Sequence, residues 1–336
     1  MPDVHDLAQA PGRRDNHRVT ATTARRVSSI PLLLSVAAVA VAGWIWLTRP
    51  GVLLAGHPAY PVAVTLVGAG GLVLLPLALR RAGSGRVGAR PRWLRLLGRG
   101  VLILGAVLVL GVLVWLRPFG ASPEALRLLA GTDAVTVTDS PTRLTLTPSG
   151  EEVTGGLIFQ PGARVDPRAY LPLLSDIAAQ GHLVVVVEQP FGIGFTALGA
   201  PAGVIEDHPQ IEHWTVGGHS LGGVVASRYA EDHPDEIDGL LLWASYPLGD
   251  LRGRDDLTVS TIYGSEDGLA PPADVEAGLA DLPPDTRAVE IEGAVHSYFG
   301  DYGEQPGDDR PGVSREAAQT QIARATADLL DSVENG

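Results

Sequence analysis

The chain contains no cysteine. Disulfides, thiolate metal sites and a cysteine nucleophile are therefore excluded. It contains no lysine either, so all 25 of its fixed side-chain cations are guanidinium groups, which reads as compositional bias. The absence of charge from three long stretches says more. Residues 27–48, 51–79 and 100–116 hold no charged side chain across 22, 29 and 17 positions. A membrane-spanning helix needs about 20 apolar residues. The apolar residues run all round each helical wheel, leaving no polar face for water.

The remaining charge is unevenly divided. Residues 1–120 carry 14 Arg and 3 acidic residues, a net of about +11. Residues 121–336 carry 11 Arg and 35 acidic residues, a net of about −24. That acidity argues against nucleic acid, whose phosphates would be repelled, and reads as a solvated surface. Arginines Arg13, Arg14, Arg18, Arg25 and Arg26 precede the first apolar segment, and only Arg49 lies between the first and the second. Seven more, including Arg80, Arg86, Arg92 and Arg99, lie between the second and third segments. This rich–poor–rich pattern places the N-terminus and second loop in the cytoplasm, and everything after residue 116 outside. Trp44, Trp46, Tyr60 and Trp115 fall near the predicted outer boundary, and Gly68, Gly70 and Gly71 permit close helix packing. The expected organisation is a basic tail (1–26), a membrane anchor of three transmembrane helices (27–117), a linker (118–132) and an α/β domain (133–336).

In that domain, short apolar runs alternate with helical patterns, which predicts a mostly parallel sheet with helices on both faces and an antiparallel start. Strands are predicted at 133–139, 142–147, 155–160, 183–187, 213–217, 237–244, 258–264 and 287–292. Helices are predicted at 167–180, 221–233, 272–282 and 314–333. Gly218-His219-Ser220-Leu221-Gly222 lies between a predicted strand and a predicted helix. Strand, Gly-x-Ser-x-Gly and helix is the context of a nucleophile elbow. A serine hydroxyl needs a base, and the base needs an orienting carboxylate. Asp267 follows the 258–264 strand and is the candidate acid, with Glu266 second; His296 follows the last strand and is the candidate base. The Leu221 N–H is one candidate oxyanion donor, and Ala163, in the loop after 155–160, is the other, with Arg164 second.

At these residues the chain resembles the α/β-hydrolase superfamily. The stretch Glu292-Gly-Ala-Val-His-Ser-Tyr-Phe-Gly-Asp-Tyr-Gly303 is similar to the "α/β-hydrolase fold five" group, itself similar to dienelactone hydrolases. The resemblance implies an α/β-hydrolase fold, a triad of Ser220, Asp267 and His296, and no metal or organic cofactor. Three departures accompany it. The usual His-Gly oxyanion motif reads Pro161-Gly162 here, and the cysteine nucleophile of dienelactone enzymes is absent. Residues 245–257 are too few for a helical cap. The expected activity is a membrane-anchored serine hydrolase acting on a small-molecule or lipid-like acyl substrate. Acyl transfer by the same triad and a non-catalytic binding role are the alternatives. Glu188 is left as either a substrate contact or a partner for Arg164 or Arg168. The acidic run Asp301, Glu304, Asp308 and Asp309 is read as a solvated loop.

Overall fold

The computed structural model describes residues 29–84, 91–150, 153 and 155–336. The basic tail, with Arg13, Arg14, Arg18, Arg25 and Arg26, lies outside the described residues, as do Arg86 and Arg90.

Among the described residues, three helices are long and apolar enough to cross a membrane: α1 (Ile30–Thr48), the Ala59–Arg80 part of α3 (Ala59–Ser84), and α4 (Arg92–Trp115). A short helix, α2 (Pro50–Ala55), separates the first two. The 51–79 apolar run is thus broken near Pro58, and only its second part is a candidate span. The third segment extends further than its apolar core. Arg92, Arg95 and Arg99 occupy the first turns of α4, before the uncharged stretch begins. A Cβ at Gly68 would lie 2.8 Å from Ala42 Cβ, and one at Gly71 would lie 2.9 Å from the Ser35 carbonyl. These two glycines let α3 press against α1; Gly70 faces open space.

The α/β region is one eight-stranded sheet in the order β1-β2-β4-β3-β5-β6-β7-β8. Its strands are β1 (Val135–Ser140), β2 (Arg143–Pro148), β3 (Gly155–Gln160), β4 (Leu183–Val187), β5 (His213–His219), β6 (Gly239–Trp243), β7 (Thr258–Gly264) and β8 (Arg287–Ile291). The first two form an antiparallel hairpin, and β2 joins β4 antiparallel; every pair from β4 to β8 is parallel. Side chains alternate between the two faces of the central strands. Leu157, Phe159, Val184 and Val186 enter one core, while Ile158, Val185 and Val187 enter the other. Helices α6 (Leu171–Ala178) and α10 (Arg315–Glu334) cover the first core. Helices α7 (Ala200–Asp207) and α8 (Leu221–Asp232) cover the second. Burial of both faces explains the unbroken Leu-Val-Val-Val-Val of β4. The buried Trp243 indole N–H donates to Thr326 Oγ1 at 3.0 Å.

Several elements differ from the sequence expectation at their ends. The 167–180 helix begins as a 3-10 turn, Pro167–Tyr170, and the 272–282 helix is α9 (Pro272–Gly278) followed by a 3-10 turn. Helix α7 was not expected, because its composition resembles a loop. The stretch between α4 and the sheet holds α5 (Pro123–Arg127), whose N-terminus is capped by Ser122.

Buried charge ties that stretch to the sheet's C-terminal edge. Asp166 accepts from Arg168 at 2.9 Å (Nε) and 2.7 Å (Nη2), and both side chains are buried. The Ala121 N–H also donates to Asp166. Arg168 therefore takes Asp166 as its hydrogen-bonded partner, and Arg164 takes the Trp115 carbonyl at the end of α4. Glu188 pairs with neither. Its carboxyl is buried with Oε2 unpartnered. Burial pushes it up to about 8, Asp139 and Asp166 add to the rise, and Arg168 opposes it. In the unfolded chain this group ionises near its ordinary 4.5. Between those two values the fold holds a proton that the unfolded chain has released, so its stability falls as pH rises. We expect Glu188→Gln to raise the melting temperature more at pH 9 than at pH 5. Thermal melts of both proteins at the two pH values check this, and a pH-independent difference would contradict it.

Candidate functional site

The turn after β5 is built by close approach. Ser220 has φ 53° and ψ −124°, a left-handed backbone outside the ordinary range of an L residue. A Cβ at Gly222 would lie 1.9 Å from the Gln160 carbonyl oxygen, and one at Gly218 would lie 2.4 Å from Gly222. Only glycine fits either side of the serine. The Ser220 N–H donates to the Trp243 carbonyl at 2.9 Å, and its own carbonyl accepts from Ser245 Oγ at 2.7 Å. Neighbouring strand ends thus hold the strained residue. Leu221 opens α8, so its N–H has no partner within the helix.

Asp267 and His296 come from the loops after β7 and β8. His296 Nδ1 lies 2.8 Å from Asp267 Oδ2 and 3.1 Å from Oδ1, and both residues are buried. Asp267 Oδ1 also accepts from the Leu269 and Ala270 N–H groups, at 2.8 and 2.7 Å, which fixes the carboxylate plane. Glu266, the second candidate, is exposed. The His296 ring lies 4.5 Å, centroid to centroid, from that of His219, the residue before Ser220. No hydrogen bond joins Ser220 Oγ to His296.

The loop after β3 is equally constrained. The Gly162 N–H donates to Tyr170 Oη at 2.9 Å, and Tyr170 Oη lies 2.9 Å from His219 Nδ1. The hydroxyl has one proton, which it can donate to Nδ1, leaving the His219 proton on Nε2. Burial holds His219 well below the usual histidine range, and the neighbouring His296 adds to this, so His219 is a neutral spacer. A Cβ at Gly162 would lie 2.7 Å from His219 Nδ1, so glycine is required there too. The Arg164 N–H donates to the Gly192 carbonyl at 2.7 Å. Arg164 is thereby occupied, whereas the Ala163 N–H donates to no acceptor among the described residues. Ala163, Leu221 and Ser220 are half-buried, and His296 and Asp267 are buried behind them.

Asp308 has a role that composition hides. Its Oδ1 accepts from the His296 N–H at 3.1 Å and Oδ2 from the Ser297 N–H at 2.9 Å. A longer bond from the Gly268 N–H, at 3.4 Å, links it to the Asp267 loop. One carboxylate of the acidic run is therefore an internal clamp between two site loops. Tyr170 and His219 were also missed. The sequence marks them only as a residue in a helix and the variable position of the elbow. No cluster of three metal-ligating side chains occurs among the described residues.

The site can be compared with known proteins. No curated protein matches the sequence significantly. Among solved structures, the monoacylglycerol lipase of Paleococcus ferrophilus is 17% identical, with a TM-score of 0.43, over 57% of this chain and 98% of its own. Mouse alpha/beta hydrolase domain-containing protein 10 is 13% identical, with a TM-score of 0.43, over 59% and 99%. A candidate dienelactone hydrolase of Klebsiella pneumoniae is 15% identical, with a TM-score of 0.45, over 58% and 98%. The model of the alpha/beta hydrolase family matches residues 156–320, from β3 into α10. That segment contains the elbow and the loops bearing Ala163, Asp267 and His296, and it belongs to the alpha/beta hydrolase family.

Proposed function

We propose that the protein is a membrane-anchored serine hydrolase that cleaves an ester or related acyl bond through an acyl-enzyme. The observation that carries this reading is the His296–Asp267 pair, 2.8 Å apart and buried, beside an elbow whose strained serine is reachable from solvent. Ser220 Oγ attacks the acyl carbon while His296 Nε2 takes its proton. Asp267 holds Nδ1–H, which fixes the tautomer and stabilises the imidazolium as it forms. The carbonyl electrons move onto oxygen, where the Leu221 and Ala163 N–H groups receive them. Loss of one such donor typically costs about 3–4 kcal/mol of transition-state stabilisation. His296 then protonates the leaving group, and the carbon–leaving-group bond breaks. Water repeats the sequence, releasing the acid and restoring Ser220. The backbone turn at Ser220 supports this assignment because it raises the hydroxyl above the sheet edge, in line with the N-terminus of α8.

Anchoring is supported by the three long apolar helices. The arginine asymmetry favours an extracytoplasmic hydrolase domain. A reporter fused after Gly336 is expected to behave as extracytoplasmic; cytoplasmic behaviour would mean that one apolar segment does not cross.

Two variants test the chemistry. Ser220→Ala is expected to lower hydrolysis of a short-chain nitrophenyl ester by at least a thousandfold without unfolding the domain. Undiminished turnover would reject the nucleophile. Asp308→Ala is expected to reduce kcat at least tenfold with KM little changed, because the His296 and Asp267 loops lose their shared acceptor. Steady-state kinetics check this, and a wild-type kcat would show that the clamp is dispensable.

A further inference from the structure

The loops at the C-terminal edge of the sheet rest on the ends of the apolar helices. The tip of the β1–β2 hairpin, at Asp139 and Pro141, shares a cavity with Trp46 and Leu53. The loop after β3 reaches α4 through Arg164, whose guanidinium donates to the Trp115 carbonyl and stacks 4.6 Å from the Trp115 ring. In the loop after β4, Phe191 and Ile193 pack into the cluster formed by Ile45, Tyr60 and Leu113. Ser220, Asp267 and His296 follow β5, β7 and β8 at this same edge. The proposed active site therefore opens on the side of the domain that meets the helices.

The surface of that edge is unusual in the same direction. Outside α1–α4, six large apolar residues are exposed among those described: Leu126, Phe195, Leu198, Tyr246, Leu248 and Leu269. Five of them lie on the loops that follow β4, β6 and β7, and each is more than a third exposed. The sixth, Leu126, sits on α5. In a region carrying a net charge of about −24, such grouping marks a contact surface and not an ordinary solvated face. Phe195 and Leu198 follow Phe191 and Ile193 in the loop after β4, so this part of the surface is continuous with the apolar cluster at the helix ends. Its occupant is therefore the bilayer to which those helices belong, and the strong negative charge of the domain favours uncharged or zwitterionic lipid over anionic lipid.

We propose that the site takes the acyl ester of a bilayer-resident amphiphile, presented from the membrane surface, with its acyl chain lying against the Phe195–Leu198 and Tyr246–Leu248 rim. This inference rests on the serine-hydrolase reading above.

The test uses the full chain reconstituted in phosphatidylcholine vesicles, with a water-soluble nitrophenyl butyrate and a vesicle-borne methylumbelliferyl oleate as substrates. The wild-type protein is expected to cleave both. In Phe195→Ser/Leu248→Ser, the ratio of vesicle-borne to soluble turnover is expected to fall at least tenfold. Phe195→Leu/Leu248→Met, which keeps the rim apolar, is expected to retain the ratio. Thermal melts establish that each variant is folded. An unchanged ratio in the serine variant would overturn the inference. So would a wild-type protein that cleaves only the soluble ester, which decides the matter even if the serine variant does not fold. Cleavage of neither ester would instead count against the hydrolase reading on which it rests.

Discussion

The site depends on a close backbone approach: α8 begins almost in contact with the end of β3. The Gly222 Cα lies so near the Gln160 carbonyl that no side chain fits between them, and Gly218 is similarly confined on the other side of the serine. This proximity forces the left-handed turn at Ser220. It also brings the first N–H of α8 towards the loop bearing Ala163. One steric constraint thus orients the hydroxyl and brings together the two proposed oxyanion donors. The strain is held by neighbours on both sides, since β6 supplies the Trp243 carbonyl and the following loop supplies Ser245.

Around this turn, polar groups clamp each loop from beneath. Tyr170 and a neutral His219 hold Gly162, Asp166 holds Arg168 and the incoming chain at Ala121, and Asp308 holds His296. These contacts are buried or half-buried, where a hydrogen bond is worth more and an unpaired group costs more than in water. Glu188 stands out as a buried carboxyl with one oxygen unpartnered. The clamps also connect the site to the helices. Phe119 pairs with Val165 and donates to the Arg164 carbonyl, so the chain leaving α4 lies along the loop that follows β3.

Much of this was legible in the sequence because it depends on local order. Glycine spacing around Ser220, unbroken apolar strands such as 183–187, and chemistry-bearing residues placed just past strand ends are all one-dimensional signals. Charge-free runs revealed the long helices for the same reason. What stayed hidden depends on contacts between distant segments. Asp308 reads as one of several loop acids until the fold brings it to the His296 N–H. Arg168 could have paired with Glu188, but the Asp166 side chain two residues earlier reaches it bidentately. Helix boundaries were blurred where apolar composition and chain direction disagree, as at Pro58, or where arginines extend a helix beyond its uncharged part, as in α4. Choosing between the Ala163 and Arg164 donors required knowing that Gly192 already takes the second.

The central claim is that this constrained turn presents a reactive serine. Treating the intact full-length protein with a fluorophosphonate and mapping the adduct by peptide mass spectrometry tests it most directly. The account predicts a single stoichiometric adduct on Ser220, absent from protein unfolded before treatment. An untouched Ser220 in the folded protein, or equal modification of other serines, would contradict it.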